Sequence, residues 1–187
     1  PRQKQYSTGI PQLDSHYDAR MRDVPLDIVH AHSPFIAGLE AQRLARRRGI
    51  PLIGMFHSRY YDDFYQIMGT EMLANLAVAT IVSFYQRCDE VWTVSQSSKE
   101  TLYDYGYVGD VVVMPNGTPD IDPSEARAAK AKEHFNLPDE PILFYCGQMN
   151  WKKNILRILE SCACYAQSGK PFTLVLAGQG PDVKSIH

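Results

Sequence analysis

The sequence predicts an α/β chain built from two parallel-sheet domains, and three observations carry the prediction. Apolar, β-branched runs of strand length alternate with segments whose apolar residues recur at helical spacing. The order strand, loop, helix, strand occurs over residues 28–57 and again over 142–177, each a βαβ unit with a crossover of nearly invariant hand. Between these units, Pro115, Asn116-Gly117 and Thr118-Pro119 gather chain-turning residues into a linker. The expected division is residues 1–114 for part of a first domain, 115–139 for a linker and connecting helix, and 140–187 for the start of a second domain.

Residues 1–26 are polar and irregular, broken at Gly9-Ile10-Pro11, and carry no functional assignment. Residues 28–32 (IVHAH) form a short strand. Ser33 and Pro34 then supply an N-cap and a first-turn proline for a helix that ends at Arg48, before Gly49 and Pro51. The run 51–57 (PLIGMFH) is the next strand, so both strands of this unit end in histidine. Residues 70–88 form a long helix without charge from Met72 to Gln86. It falls short of the roughly 20 apolar residues of a membrane span and contains Asn75, Thr80 and Ser83, so it is a buried or half-buried helix. A strand over 90–95, a short helix with a capping box of Ser97 and Glu100, and a strand over 111–114 complete the first domain. An alanine-rich helix opens at Asp122-Pro123. In the second domain, 142–146 is a strand ended by Gly147. Asn154 caps a helix whose apolar residues fall on one face at Ile155, Ile158, Leu159, Cys162, Ala163 and Ala166, and 172–177 is the returning strand.

With 187 residues, 44% of them hydrophobic and 21% charged, the composition is that of a globular protein. A net charge of −2 gives no case for a nucleic-acid partner. The four cysteines lack metal-ligand spacing, since Cys162 and Cys164 are two apart on a helix and point in different directions. They are expected to be reduced cytosolic thiols. The first residues are polar and show no signal peptide, so the expected location is cytoplasmic. Arg43, Arg46, Arg47 and Arg48 crowd the end of the first helix. They suit anionic head groups at a membrane surface, and equally suit a solvated helix end whose cations complement the dipole.

Open parallel sheets bind ligands beyond the carboxyl ends of their strands. There the first domain places His30, His32, Ser33, His57, Ser58 and Arg59. Two readings compete for the histidines. In one, His30 and His32 share a strand face and join His57 around a metal, as in a metal-dependent hydrolase. Against it, no Asp or Glu follows at an obvious ligand spacing. The other takes both domains together. His57, with Ser58, Arg59, Tyr60, Tyr61, Asp62 and Asp63 after it, suits a hydroxyl-rich ligand. Lys152 and Lys153 precede a helix N-terminus, where a phosphate is favoured. A cleft between the domains would then hold a sugar against the first and a diphosphate against the second.

Six segments, taken in order, resemble the retaining nucleotide-sugar glycosyltransferases of the GT-B fold, the large family 4 group. They are DIVHAHSP (27–34), GIPLIGMFHS (49–58), CDEVWTVS (88–95), VMPNGT (113–118), YCGQMNWKKN (145–154) and LVLAGQGP (174–181). The resemblance implies two Rossmann-like domains, acceptor-side and donor-binding. It implies sugar transfer from a nucleoside diphosphate to an acceptor hydroxyl on a glycan or on a lipid at the membrane surface, with retention and with no metal or other cofactor. By this likeness His57 matches the histidine of the family's F-H-[ST] motif, beside the donor sugar, and is the expected catalytic residue. Ser58 matches the neighbouring hydroxyl residue on the acceptor side, where Ser33 and Arg59 are also placed. Gly147, Gln148 and Lys153 match the loop that binds the donor diphosphate. Family members usually carry arginine where Gln148 stands, and Lys152 is expected to make up the lost charge. The family's glycine-rich loop before Asp27 and its paired glutamates after Pro181 do not occur in these 187 residues. Both domains are therefore expected to be incomplete, with the chain as the middle of a longer enzyme and poor in turnover alone. A non-catalytic sugar-nucleotide-binding fragment is the remaining alternative.

Overall fold

A computed structural model describes residues 9–120 and 124–186. The chain divides into two compact units, residues 1–118 and 119–187.

In the first unit, strands β1 (Val29–Ala31), β2 (Leu52–Phe56), β3 (Glu90–Thr93) and β4 (Val112–Val113) form one parallel sheet, and their spatial order is their chain order. Every crossover advances in the same direction. With the usual right hand, that puts the connecting helices on one face. Helix α1 (Ser15–Arg22) comes first, and α2 (Ile36–Arg48) packs on β1 and β2. Helices α3 (Tyr61–Met68) and α4 (Glu71–Tyr85) pair between β2 and β3, and α5 (Gln96–Asp104) packs on β3 and β4.

Strand periodicity sorts the side chains. Leu52, Phe56, Val91 and Ala31 point into a core completed by Ala45, Ile81, Phe84, Tyr85 and Leu102. Each such large side chain contributes about 1.5–3 kcal/mol on full burial. On the other parity, His30 stands opposite Ile53, and Met55 opposite Trp92. Ile53 and Met55 are buried as well, which is why β2 is an unbroken apolar run rather than an alternating one.

Two α-helices of the first unit were not foreseen. Helix α1 buries no residue, so it lacks the apolar stripe that marks a helix in a sequence. Its start is capped by Asp14, whose carboxylate accepts from the His16 and Tyr17 amides at 2.9 and 3.1 Å. Arginines from α2 hold it in place. Arg43 pairs with Asp18 at 2.7 Å and with Glu40 at 2.6 Å, and Arg48 donates to the carbonyls of Met21, Arg22 and Val24. Arg47 also reaches Asp18 at 3.9 Å, so three of the four arginines that suited either lipid head groups or a solvated helix end are engaged within the protein. Helix α3 occupies the tyrosine- and acid-rich stretch expected to bond a ligand. Tyr60 and Phe64 instead pack against the core, and the Tyr105 hydroxyl accepts from the Tyr61 amide at 3.0 Å.

Helix starts also moved. α2 begins at Ile36 rather than Pro34. The cap of α5 is Ser95, which accepts from the Ser98 amide at 3.2 Å, rather than Ser97. Among the described residues no helix is long and apolar enough to cross a membrane.

The second unit contains α6 (Glu125–His134), β5 (Ile142–Cys146), α7 (Ile155–Ala166) and β6 (Thr173–Ala177). The predicted opening of α6 at Asp122-Pro123 lies outside the described residues. Strands β5 and β6 pair in parallel with Ile142 opposite Thr173, which forms the predicted βαβ unit. Asn154 stands at the start of α7 in a left-handed conformation with φ of +51°, and its side chain makes no capping bond. The cap expected from Asn154 is therefore not made: its backbone turns the chain out of the one-turn 3-10 helix Trp151–Lys153 and into α7.

Candidate functional site

In the first unit, β1 ends at Ala31 and the adjacent β2 at Phe56, so His32 and His57 are the first residues beyond two neighbouring parallel strands. His32 Nδ1 and His57 Nε2 lie 2.9 Å apart, a hydrogen bond between rings only 21° from parallel. The His30 ring centroid is 4.2 Å from that of His32. On its other side His30 meets Trp92 edge-on at 5.2 Å, and the Trp92 indole donates to the Glu90 carboxylate at 2.8 Å. The structure thus gathers all three histidines singled out in the sequence.

Partial burial and then the neighbouring His32 push the His57 pKa below the ordinary histidine value. Burial, then His32 and His57, lower that of His30. Both shifts favour neutral imidazoles. Among the described residues no group of three or more His, Cys, Asp or Glu is placed to hold a metal ion. The metal-dependent hydrolase is not supported, because the His32 and His57 nitrogens are turned on each other rather than on a common point. Ser33 is half-buried, and its hydroxyl accepts from the Phe35 amide at 3.4 Å. Ser58 and Arg59 are exposed just beyond His57.

In the second unit, the loop after β5 carries Gly147, Gln148 and, through the 3-10 turn, Lys153. It is pressed against the loop after β6, backbone to backbone. The Gly147 amide donates to the Ala177 carbonyl, and the Met149 amide to the Gln179 carbonyl, both at 3.0 Å. This approach requires glycine on the β6 side. A Cβ at Gly178, where φ is +151°, would overlap the Gly147 carbonyl, and one at Gly180 would overlap that of Met149. The glycines of the GQG stretch are therefore what lets the loop after β5 sit where it does. Gln148 accepts from Asn150 Nδ2 at 3.1 Å through its side-chain oxygen, and its carbonyl accepts from the Tyr145 hydroxyl at 2.8 Å. Its side-chain oxygen is thus engaged inside the loop. Lys153 is exposed, and it lines one end of a mainly apolar cavity of about 790 Å³ along α7, with Asn154, Arg157, Phe144 and Phe172 among its other walls.

The bond between His32 and His57 is the feature that sequence reasoning missed. Its only trace in the sequence is the pair of strands that each lead into a histidine.

The model of Glycosyltransferase Family 4 matches residues 4–120. An alpha-monoglucosyldiacylglycerol synthase of Streptococcus pneumoniae is 27% identical over 170 residues, which cover 86% of this chain and 38% of that protein. An alpha-D-kanosaminyltransferase of Streptomyces kanamyceticus is 25% identical, over 82% of this chain and 42% of its own. A GDP-mannose-dependent alpha-mannosyltransferase of Corynebacterium glutamicum is also 25% identical, over 89% and 39% respectively. The chain thus spans about two fifths of the length of these relatives.

Proposed function

Since the chain belongs to glycosyltransferase family 4, we propose that it forms part of an enzyme moving a sugar from a nucleoside diphosphate donor to an acceptor hydroxyl with retention of configuration. The observation that carries this reading is the placement of His57 at the carboxyl end of β2, held by His32 and flanked by exposed Ser58 and Arg59. A neutral imidazole there orients the sugar by hydrogen bonding, with Ser58, Arg59 and Ser33 on the acceptor side. As the glycosidic bond to the diphosphate breaks, negative charge builds on the leaving phosphate. Lys153 and the N-terminal end of α7 meet that charge, with the backbone of Gly147 and Gln148 beside them, so the step needs no metal. The acceptor attacks from the same face as the departing diphosphate, which takes its proton, and no side-chain nucleophile is required.

For the acceptor we favour a lipid at a membrane surface. Ile67, Met72 and Leu76 on the paired helices α3 and α4 are 79%, 76% and 64% exposed, and exposed apolar side chains of this kind suit contact with acyl chains. A relative's name includes diacylglycerol.

The test is calorimetric titration of UDP- and GDP-sugars, in EDTA, into this chain and its Lys153→Ala variant. Losing one charge-assisted bond to phosphate should weaken binding roughly 10- to 100-fold. Equal affinity in both proteins refutes the role of Lys153. A Lys152→Ala variant with unchanged affinity removes the idea that Lys152 replaces the charge missing at Gln148.

A further inference from the structure

We infer that His32 is a positioning residue for His57. A single proton shared between His32 Nδ1 and His57 Nε2 fixes the His57 ring in one tautomer and leaves its Nδ1 as the ring nitrogen offered to a ligand. The inference deepens the reading of His57 as the sugar-orienting residue, and its structural part stands without that reading.

The geometry sets tight conditions. Two ring nitrogens 2.9 Å apart are at hydrogen-bonding distance only if one bears hydrogen and the other a lone pair. Two bare nitrogens would repel, and so would two N–H groups. The two rings therefore cannot choose their tautomers independently. If His32 donates, His57 carries its own hydrogen on Nδ1 and offers a donor. If His57 donates, its Nδ1 is an acceptor. In either case Nε2 is used up, and only Nδ1 can meet a substrate. In water an isolated neutral imidazole has both tautomers open to it, so the selection comes from the partner ring.

Packing reinforces the bond. His32 lies between His57 and His30, and His30 is in turn braced edge-on by Trp92, whose indole is tied to Glu90. The row runs from β3 across β1 to the end of β2. The backbone adds a second constraint. His32 and His57 follow strands paired with Ala31 opposite Gly54, so the main chains that carry the two rings cannot slide past each other without breaking the sheet. His32 itself has no other part in the proposed transfer. A residue that acts on the sugar through His57 fits its position, since it touches the ring on the side away from His57 Nδ1.

The bond can be read directly in this chain by nuclear magnetic resonance, with no donor present. In uniformly 15N-labelled protein, a shared proton gives a 15N–15N correlation across the hydrogen bond between His32 Nδ1 and His57 Nε2, and His57 shows the nitrogen shifts of one tautomer. Both are expected in the native chain. In His32→Phe, which keeps a flat ring against His30 but has no nitrogen, His57 should lose its single tautomer and show averaged shifts. In His30→Gln, which leaves both bonded nitrogens in place, the correlation should persist. Averaged His57 shifts in the native chain overturn the proposal, as does an unchanged single tautomer in His32→Phe. The native measurement needs no substitution, so a variant that folds badly does not protect the idea. If the correlation is present while the donor titration fails, the function reading falls and the bond stands. If the titration succeeds without the correlation, the positioning role falls alone.

Discussion

Gly54 lies at the middle of β2, directly beneath the last turn of α4 and the turn that follows it. A Cβ there would sit 2.7 Å from Cys88 Sγ and 3.0 Å from a ring carbon of Tyr85, where ordinary contacts are 3.4–4 Å. Neither neighbour gives way readily. Tyr85 is wholly buried, and its hydroxyl donates to the Met55 carbonyl at 3.1 Å. The Cys88 thiol donates to the Phe84 carbonyl at 3.6 Å. Overpacking of this kind costs about 1–3 kcal/mol. Replacing glycine inside a strand regains roughly 0.5–1 kcal/mol of backbone entropy, so Gly54→Ala should destabilise the first unit by about 1–2 kcal/mol. With a urea m-value near 2 kcal/mol/M, the midpoint should fall by roughly 0.5–1 M. The assay is urea unfolding followed by Trp92 fluorescence, in a Trp151→Phe background so that only the first unit reports. Adding Cys88→Ala removes the tighter contact, so the cost of Gly54→Ala should shrink by about half or more in that background, a coupling between the two sites. A neutral or stabilising Gly54→Ala would refute the claim that close helix–strand approach fixes glycine at this position.

Two further outcomes follow from titration. Burial, with Asp89 beside it, pushes the Cys88 thiol up to about 12, whereas Cys146 and Cys164 are exposed. Brief iodoacetamide treatment of the native chain, read by peptide mass, should label Cys146 and Cys164 and spare Cys88 until denaturant is added; equal labelling of Cys88 would show that α4 does not cover it. His30 and His57 titrate lower in the folded chain than the ordinary value near 6.5, so as pH falls the unfolded chain takes up their protons first. Their contribution to stability is present above 6.5 and is lost as pH drops through the lowered values. Urea midpoints of the native chain should fall just below the ordinary histidine range, and a His30→Gln, His57→Gln double variant should show a flatter profile there; identical slopes would refute the assignment.

Strand β2 was legible because it is buried on both faces. Residues 52–56 form an uninterrupted apolar run, the mark of a parallel sheet rather than of an exposed one, whereas the equally apolar run 142–146 was legible from its pattern alone, since Leu143 and Phe144 of β5 are exposed. Helix α1 was not legible, because what holds it is polar and distant. Asp18 meets Arg43 across 25 residues of chain, and no local pattern encodes such a pairing. Helix α3 was hidden by chemistry that looked functional: tyrosines and aspartates after a histidine suggest a ligand, yet Tyr60 and Phe64 serve the core. The cap of α5 was misplaced because Ser95, Ser97 and Ser98 are equivalent in composition, and only the extended backbone at Ser95 distinguishes the true cap. For the site, residue types at the strand ends could be read from pattern. The bond between His32 and His57, 25 positions apart, depends on strand register and could not.

The sheet of the first unit is laid down in the order in which its strands are synthesised. A ribosome releases the N-terminal end of a chain first. On emerging, β2 finds β1 already made, β3 finds β2, and β4 finds β3. Among the four described strands, none has to be inserted later between two others, and none has to wait for a partner encoded far downstream. At each stage the growing edge of the sheet is the newest strand, so this part of the molecule can assemble in the direction of translation.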